Sequence, residues 1–460
     1  MENLEPRRMM KPEIKSLWMY PLVLLLLAAG IGFITVNNTH DWGDDFAQYL
    51  VQARVMAGIE PSGVQCTETY SPQVRGPLFS VLLVPAVLSE HPLAMGKCLV
   101  LAFVWVLSVI CFFVFRSFIG SLCSFLLSTF IIIHYPFVGL YNQILTDIPF
   151  TSTVLASLAL MGSKSRRMVR IGILLASIAW GFRDAGIALI PVVLWICYQN
   201  RSGIADLCRD LSFYTVPIIV ISCITWLTLD QLWPGTWYAG TTFAENSTVA
   251  PWDRLLAYKT AFLRLFEFEI PVWMNPVFGN IILYGGIAGL ALRWIRNKDA
   301  GVLFVLLYLI LLLIYPYAND PVRLLFPVLP VWLFASAYGI ITLTGMFTER
   351  HKVLFPALLL SMLVLANFRH YPINLKPETG ITGPDAADMF TFIEDSIPAD
   401  DLIACEKPWA LNWMTSRKTI PLTCMSLQPD HFVVSTKTNS IPDSYRKVFE
   451  NTTWSVYAVR

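Results

Sequence analysis

Trp42-Gly43-Asp44-Asp45-Phe46-Ala47-Gln48-Tyr49-Leu50 is the stretch whose reading decides the fold. It follows directly on the apolar run Leu17 to Val36. With Asp41 it places three carboxylates within five residues, in a chain that is only 14% charged. The apolar run is about 20 residues long, enough to cross a bilayer. It lacks a small-residue cleavage pattern, so it reads as a retained helix rather than a signal peptide. A cluster of acids at the end of such a helix is costly unless it works at the lipid–water boundary.

The rest of the chain extends this reading. Of 460 residues 55% are apolar and the mean hydropathy is +0.58, which describes a polytopic α-helical membrane protein. The net charge of +1 excludes a nucleic-acid partner. The nine cysteines lie mostly in apolar runs and none has metal-ligand spacing. Cys405 and Cys424 share a polar tail, and their pairing is left open. Residues 1–16 carry Arg7, Arg8, Lys11 and Lys15 and are expected to be cytoplasmic. The first helix then delivers the acids to the extracytoplasmic side of an inner (plasma) membrane.

Further spans are expected at about 98–115, 119–134, 148–162, 171–182, 185–198, 212–230, 277–292, 301–316, 324–346 and 353–368, making about eleven within residues 17–368. In this register Arg116, Lys164–Arg170, Arg201, Arg209, Arg293, Arg296, Lys298, Arg350 and Lys352 are cytoplasmic. With the N-terminus that is sixteen Lys and Arg, against about eight in the external loops before the tail. External loops are expected at 37–97 and 231–276. In the first, Phe46, Tyr49, Leu50, Ala53 and Ala57 fall at the spacing of an interfacial amphipathic helix, and Pro77–Leu88 is short enough to be interfacial or re-entrant. The second carries Trp233, Trp237, Tyr238, Trp252 and Trp273, the pattern of interface anchors. Residues 369–460 read as a small extracytoplasmic α/β domain with helices at 385–397 and 408–415 and strands at 402–406, 431–436 and 454–459.

The same register gathers charge on the external face. Asp147, Arg183 with Asp184, and Asp320 with Arg323 all fall at the outer mouths of spans. Any one of them alone reads as a loop charge at a helix end. Together with the first-loop acids they point to a shared site.

The ordered motifs resemble the C-type (GT-C) polytopic glycosyltransferases, in the branch of protein O-mannosyltransferases and lipid A aminoarabinose transferases. Trp42–Leu50 is similar to the Gly-Asp-Glu-x-x-Tyr pattern, with Asp45 in place of Glu. Arg75-Gly76-Pro77-Leu78 is similar to Lys/Arg-x-Pro-Leu, and Leu145-Thr146-Asp147 resembles the second acid. Arg323-Leu324-Leu325-Phe326-Pro327-Val328-Leu329-Pro330 resembles Arg-Tyr-x-x-Pro-x-x-Pro. The resemblance implies a membrane glycosyltransferase that takes a sugar from a polyprenyl-phosphate donor to a lipid, glycan or protein acceptor. It implies Asp44 as general base acting with inversion, Asp147 and Asp45 assisting, and Arg75, Arg183 and Arg323 on the donor phosphate. Tyr49 and Trp42 are the aromatic candidates for the sugar. Paired acids also suit Mg2+ or Mn2+, with Asp44 and Asp147 as the candidate ligands. The alternative is a transporter or flippase of a lipid-linked intermediate, for which inverted repeats and charges at the bilayer midplane are the expected signs. A third reading is a scaffold whose tail, through Lys407-Pro408-Trp409 and Trp413, recruits partners.

Overall fold

The computed structural model describes residues 18–59, 75–200, 204–229, 250–267, 274–314, 321–347, 354–368, 380–422, 428–435 and 444–459. Residues 1–16, Trp233, Trp237, Tyr238, Trp273, Asp320 and Cys424 lie outside these ranges, so the expectations placed on them are not addressed by it.

The first apolar run forms the helix Met19–Thr35, closed where the Val36 N–H donates to Gly32 O. It packs on the helix Pro92–Ile133, in which two expected spans are joined. Gly120 (φ 79°, ψ 165°) breaks that helix in a backbone region open to glycine. Phe112 and Phe125, on either side of the break, both lie against Tyr20, at ring-centroid distances of 5.0 and 5.2 Å. A straight helix would set those two residues about 20 Å apart. The chain therefore folds back at Gly120. Lys97, near the start of the hairpin, hydrogen-bonds Asn142 just beyond its end.

Asp147–Met161 and Arg166–Phe182 form a second pair, in close contact where Ser157 Oγ donates to the Gly172 carbonyl. Pro92–Ile133, Ile204–Leu229, Asn275–Asn297 and Pro321–Gly345 are long and apolar enough to cross a membrane; shorter apolar helices include Met19–Thr35, Asp147–Met161 and Ala300–Ile314. One end of the bundle gathers residues 37–45, Lys97, Asn142, Asp147, Arg183 and Arg323. The other holds the ion pairs of Arg166 with Asp206 and Asp210, Arg170 with Asp210, and Arg293 with Asp299.

The expected amphipathic helix is Asp44–Met56. It does not lie half in solvent: every residue from Phe46 to Ala53 is buried, Gln48 and Gln52 included. Pro77–Val87 packs on one side of it and the tail helix Pro408–Thr415 on another.

The C-terminal region has five strands, β1 Leu402–Cys405, β2 Lys418–Pro421, β3 His431–Ser435, β4 Tyr445–Glu450 and β5 Trp454–Val459, in the order β2-β1-β3-β5-β4. β1 pairs in parallel with β2 and β3, while β3–β5 and β4–β5 are antiparallel. The helix Pro384–Ser396 buries Ala386, Met389, Phe390 and Ile393, an i, i+3, i+4, i+7 stripe. Two strands, β2 and β4, were not anticipated. β2 is only four residues long, and β4 is an edge strand whose Arg446, Lys447 and Glu450 are exposed, the charge pattern that protects sheet edges and hides apolar alternation.

Candidate active site

The three neighbouring carboxylates take three separate roles. Asp41 faces inward along the loop. Its Oδ1 lies 2.7 Å from His40 Nδ1 and accepts the Gly43 N–H at 3.0 Å, and its Oδ2 accepts Gln143 Nε2 at 3.0 Å. His40 is buried and stacked on Phe46, and its Nε2 accepts the Ile144 N–H at 3.1 Å. An acceptor at Nε2 fixes the proton on Nδ1, so this histidine is neutral and donates to Asp41. Burial lowers the His40 pKa, in keeping with that tautomer. Lys97, fully buried, donates to Asn37 Oδ1 at 2.7 Å, Thr39 O at 2.6 Å and Asn142 Oδ1 at 2.7 Å, which ties the 37–41 turn to the far end of the hairpin. Replacing it in Lys97→Met removes the shared donor of three part-buried oxygens, of which Asn37 Oδ1 keeps its bonds from Thr39. The detergent-solubilised protein is expected to lose about 3 kcal/mol or more of stability, read as a lower thermal unfolding midpoint.

Asp45 enters an arginine network. Its Oδ1 accepts Arg75 at 3.1 Å and its Oδ2 accepts Arg323 at 2.9 Å. Arg323 Nε also reaches Asp147 Oδ2 at 2.8 Å, and Arg183 pairs with Asp147 Oδ1. Asp147 is wholly buried in the first turn of its helix, whereas the Asp45 and Arg75 side chains are 32% and 36% exposed. The network is thus closed at its Asp147 end and open at its Asp45 end. Among the described residues three guanidinium groups face two carboxylates. Burial pushes the Asp45 carboxyl up, but Arg323 and Arg75 outweigh it and hold it below the ordinary carboxylate value.

Local backbone explains the convergence. Arg75 precedes Gly76, which sits at φ 51° and caps the helix Pro77–Val87. A Cβ at Gly76 would overlap the Phe182 carbonyl and crowd Thr146 and Tyr49, so the glycine lets Arg75 approach the residues beside Arg183 and Asp147. Arg183 ends the helix Arg166–Phe182 in extended conformation. Tyr49, buried, contacts Thr146 Oγ1 at 3.3 Å and Phe79 edge-on.

Asp44 faces elsewhere. Its Oδ1 accepts the N–H groups of Trp409 at 3.0 Å and Ala410 at 3.1 Å from the C-terminal region. Burial pushes its carboxyl up to about 6, against the pull of the Ala410 amide, the Lys407 charge and the Trp409 amide. Trp42 lies in the same seam, 4.5 Å from Trp454 and 5.6 Å from Phe390 between ring centroids. The structure therefore brings together Asp45, Arg75, Asp147, Arg183, Arg323 and Tyr49, and sets Asp44 and Trp42 at the seam with the tail. Sequence reading missed Lys97, His40, Gln143 and Arg54. Apart from the adjacent Asp41 beside His40, their partners are distant in sequence, and only the residue type, a lysine at the start of an apolar helix, was a signal. Asp44 and Asp147 do not fit a shared Mg2+ or Mn2+: both Asp147 oxygens are on guanidinium groups and Asp44 is on backbone amides. Among the described residues no group of three or more His, Cys, Asp or Glu could hold a metal ion.

Comparison of the whole chain with solved structures gives matches along nearly its full length. ArnT from Cupriavidus metallidurans bound to undecaprenyl phosphate superposes with a TM-score of 0.59 at 11% identity, covering 96% of this chain and 98% of ArnT. The fold is shared with ArnT. The Archaeoglobus fulgidus oligosaccharyltransferase in complex with Zn and sulfate matches with a TM-score of 0.58 at 11% identity, over 90% of this chain and 68% of that one. The same oligosaccharyltransferase tethered to an acceptor peptide matches with a TM-score of 0.59 at 10% identity, over 92% of this chain and 69% of that one. No protein-family model matches the chain, and no curated protein matches it in sequence. The expected mainly helical architecture is thus supported by the fold.

Proposed function

We propose that the protein is a membrane glycosyltransferase that moves a sugar from a polyprenyl-phosphate donor to an acceptor on the extracytoplasmic face. The observation that carries this reading is the arginine network at one end of the apolar bundle, open at Arg75 and Asp45. A departing lipid phosphate carries negative charge. Guanidinium groups held in place at a membrane surface stabilise that charge by bidentate, charge-assisted bonds. The ArnT match, which holds undecaprenyl phosphate, fits a lipid-linked donor of this class. An apolar groove among the helices would take the prenyl chain.

Asp44 is the better base of the acid pair. Its carboxyl lies at about 6, near working pH, as general-base catalysis favours. Asp45 is held low by its arginines and serves as their partner. Asp44 Oδ2 lies outside the two amide bonds and takes the proton of the acceptor hydroxyl as its oxygen bonds to the anomeric carbon. The bond from that carbon to the lipid phosphate breaks, and inversion follows from attack opposite the leaving group. About eleven crossings, as the apolar runs suggest, together with the basic residues of the connecting loops would put the N-terminus on the cytoplasmic side and the C-terminal region outside. The charges cluster at the ends of helices and not at mid-bundle, which favours a surface enzyme over a transporter.

The test is direct. Purified protein given a polyprenyl-phosphate sugar and an acceptor should release polyprenyl phosphate. Arg75→Ala should raise the donor KM about tenfold, the worth of one charge-assisted contact, with a smaller effect on acceptor KM. Absence of transfer from every lipid-linked sugar tried would sink the reading.

A further inference from the structure

We propose that Asp44 is the N-cap, supplied from a distant part of the same chain, of the tail helix Pro408–Thr415, and that docking of this helix positions the base for transfer. The proposal rests on the reading of Asp44 given above and adds the part played by the C-terminal region.

The helix has no cap of its own. Lys407 occupies the N-cap position at φ −129° and ψ 72° and makes no side-chain cap bond. Pro408 at N1 has no N–H to satisfy. The next two amides, Trp409 and Ala410, are the donors that a Ser, Asp or Asn cap ordinarily takes. Both are aimed at one oxygen of Asp44, more than 360 residues earlier in the chain. The helix therefore depends on the first loop for its N-terminal bonds, and Asp44 depends on the helix for its orientation.

Independent contacts hold the two together. Arg54, in the last turn of the Asp44 helix, donates to the Trp413 carbonyl at 3.0 Å. Its guanidinium carbon also lies 3.6 Å from the centre of the Trp413 ring, a cation–π contact. Trp42 rests on Phe390 and Trp454. The Ile381 N–H donates to the His40 carbonyl at 3.1 Å, and Gly380 lies so near that carbonyl that a Cβ would overlap it. The charged groups facing Asp44 are Lys407 from the tail and Asp45 from its own helix, with the Cys405 thiol buried nearby. Withdrawal of the helix removes burial, both amides and Lys407 together, which returns Asp44 to the ordinary carboxylate range.

Two kinds of variant separate cap from base. Asn caps as well as Asp. Asp44→Asn is therefore expected to keep hydrogen exchange at the Trp409 and Ala410 amides slow while transfer is lost. Asp44→Ala is expected to speed that exchange about fivefold, the factor equivalent to one cap, and to lose transfer as well. Arg54→Ala leaves the base in place. It should speed the same exchange, lower kcat about tenfold, and move the acid limb of the pH profile down from near 6, with donor KM unchanged. Arg54→Lys, which keeps the cation on Trp413, should recover part of kcat, and Trp413→Leu should reproduce Arg54→Ala should the latter fold poorly. Unchanged exchange in Asp44→Ala overturns the cap. Faster exchange in Arg54→Ala with the parent kcat and acid limb overturns the positioning role. A parent protein that transfers nothing counts against the proposed function, and the exchange measurements then still decide the cap.

Discussion

Arg323→Ala is expected to reduce kcat/KM by about 10²- to 10³-fold and to lower the unfolding midpoint of the solubilised protein. This one guanidinium bonds Asp45 through one nitrogen and Asp147 through another. Its removal takes positive charge from the face proposed to meet the lipid phosphate. It also leaves the wholly buried Asp147 with Arg183 as its remaining ionic partner. Abandoning a buried charge outright typically costs about 3–5 kcal/mol, and because Arg183 stays on Asp147 the loss here should be smaller than that. Arg323→Lys restores the charge without the fork and cannot span both acids, so its activity should fall between parent and alanine variant. Transfer kinetics and a thermal melt on the same preparations check both halves. Parent-like transfer by Arg323→Ala would remove the arginine network from the chemistry.

The second large effect is at Asp44. Asp44→Asn should lower kcat by about 10²- to 10⁴-fold, the range of a lost general base, while donor KM stays near the parent value. The parent profile gives the matching signature. The base must be ionised, so kcat/KM should rise with pH through about 6 and level above it. Stability runs the other way. The folded carboxyl lies above its ordinary value, so between that value and about 6 the folded state holds more protons than the unfolded one. The contribution of this group is therefore full at low pH and declines as pH rises through that window. Activity should grow while this stability term shrinks, a pairing that a plain structural carboxylate would not produce. A rate profile flat from pH 5 to 8 would remove Asp44 from the base role.

Much of this arrangement was legible in the chain, for reasons that differ by residue. The membrane class followed from apolar runs of spanning length. The meeting of Asp147, Arg183 and Arg323 followed from charges that border those runs at ends sharing one side, whereas Arg75 was singled out only by the resemblance of Arg75-Gly76-Pro77-Leu78 to a family motif. Gly76 was visible as part of Arg-Gly-Pro-Leu, although only its left-handed φ shows why a glycine stands there. The separation of Asp44 from Asp45 was not legible. Adjacent residues on a helix point about 100° apart, and which of the two faces the arginines depends on the rotation of a helix buried on several sides. Trp42 reads as a sugar platform in a loop, and its burial against Phe390 and Trp454 needs the folded tail. Lys97 looks like a boundary charge until the hairpin at Gly120 brings Asn142 alongside. The two spans expected at 98–115 and 119–134 correspond to the two arms of that hairpin, with the reversal at Gly120.

The bonds to Asp44 from the Trp409 and Ala410 amides close a loop of more than 360 of the 460 residues. Contacts of such sequence separation form late, after the segments between them have been made and inserted. A chain still being made can have Arg183 and Asp147 already paired and still lack the helix Pro408–Thr415 that holds Asp44. Chains truncated before residue 408 would therefore lack the two amides that hold Asp44, whatever the state of the arginine network.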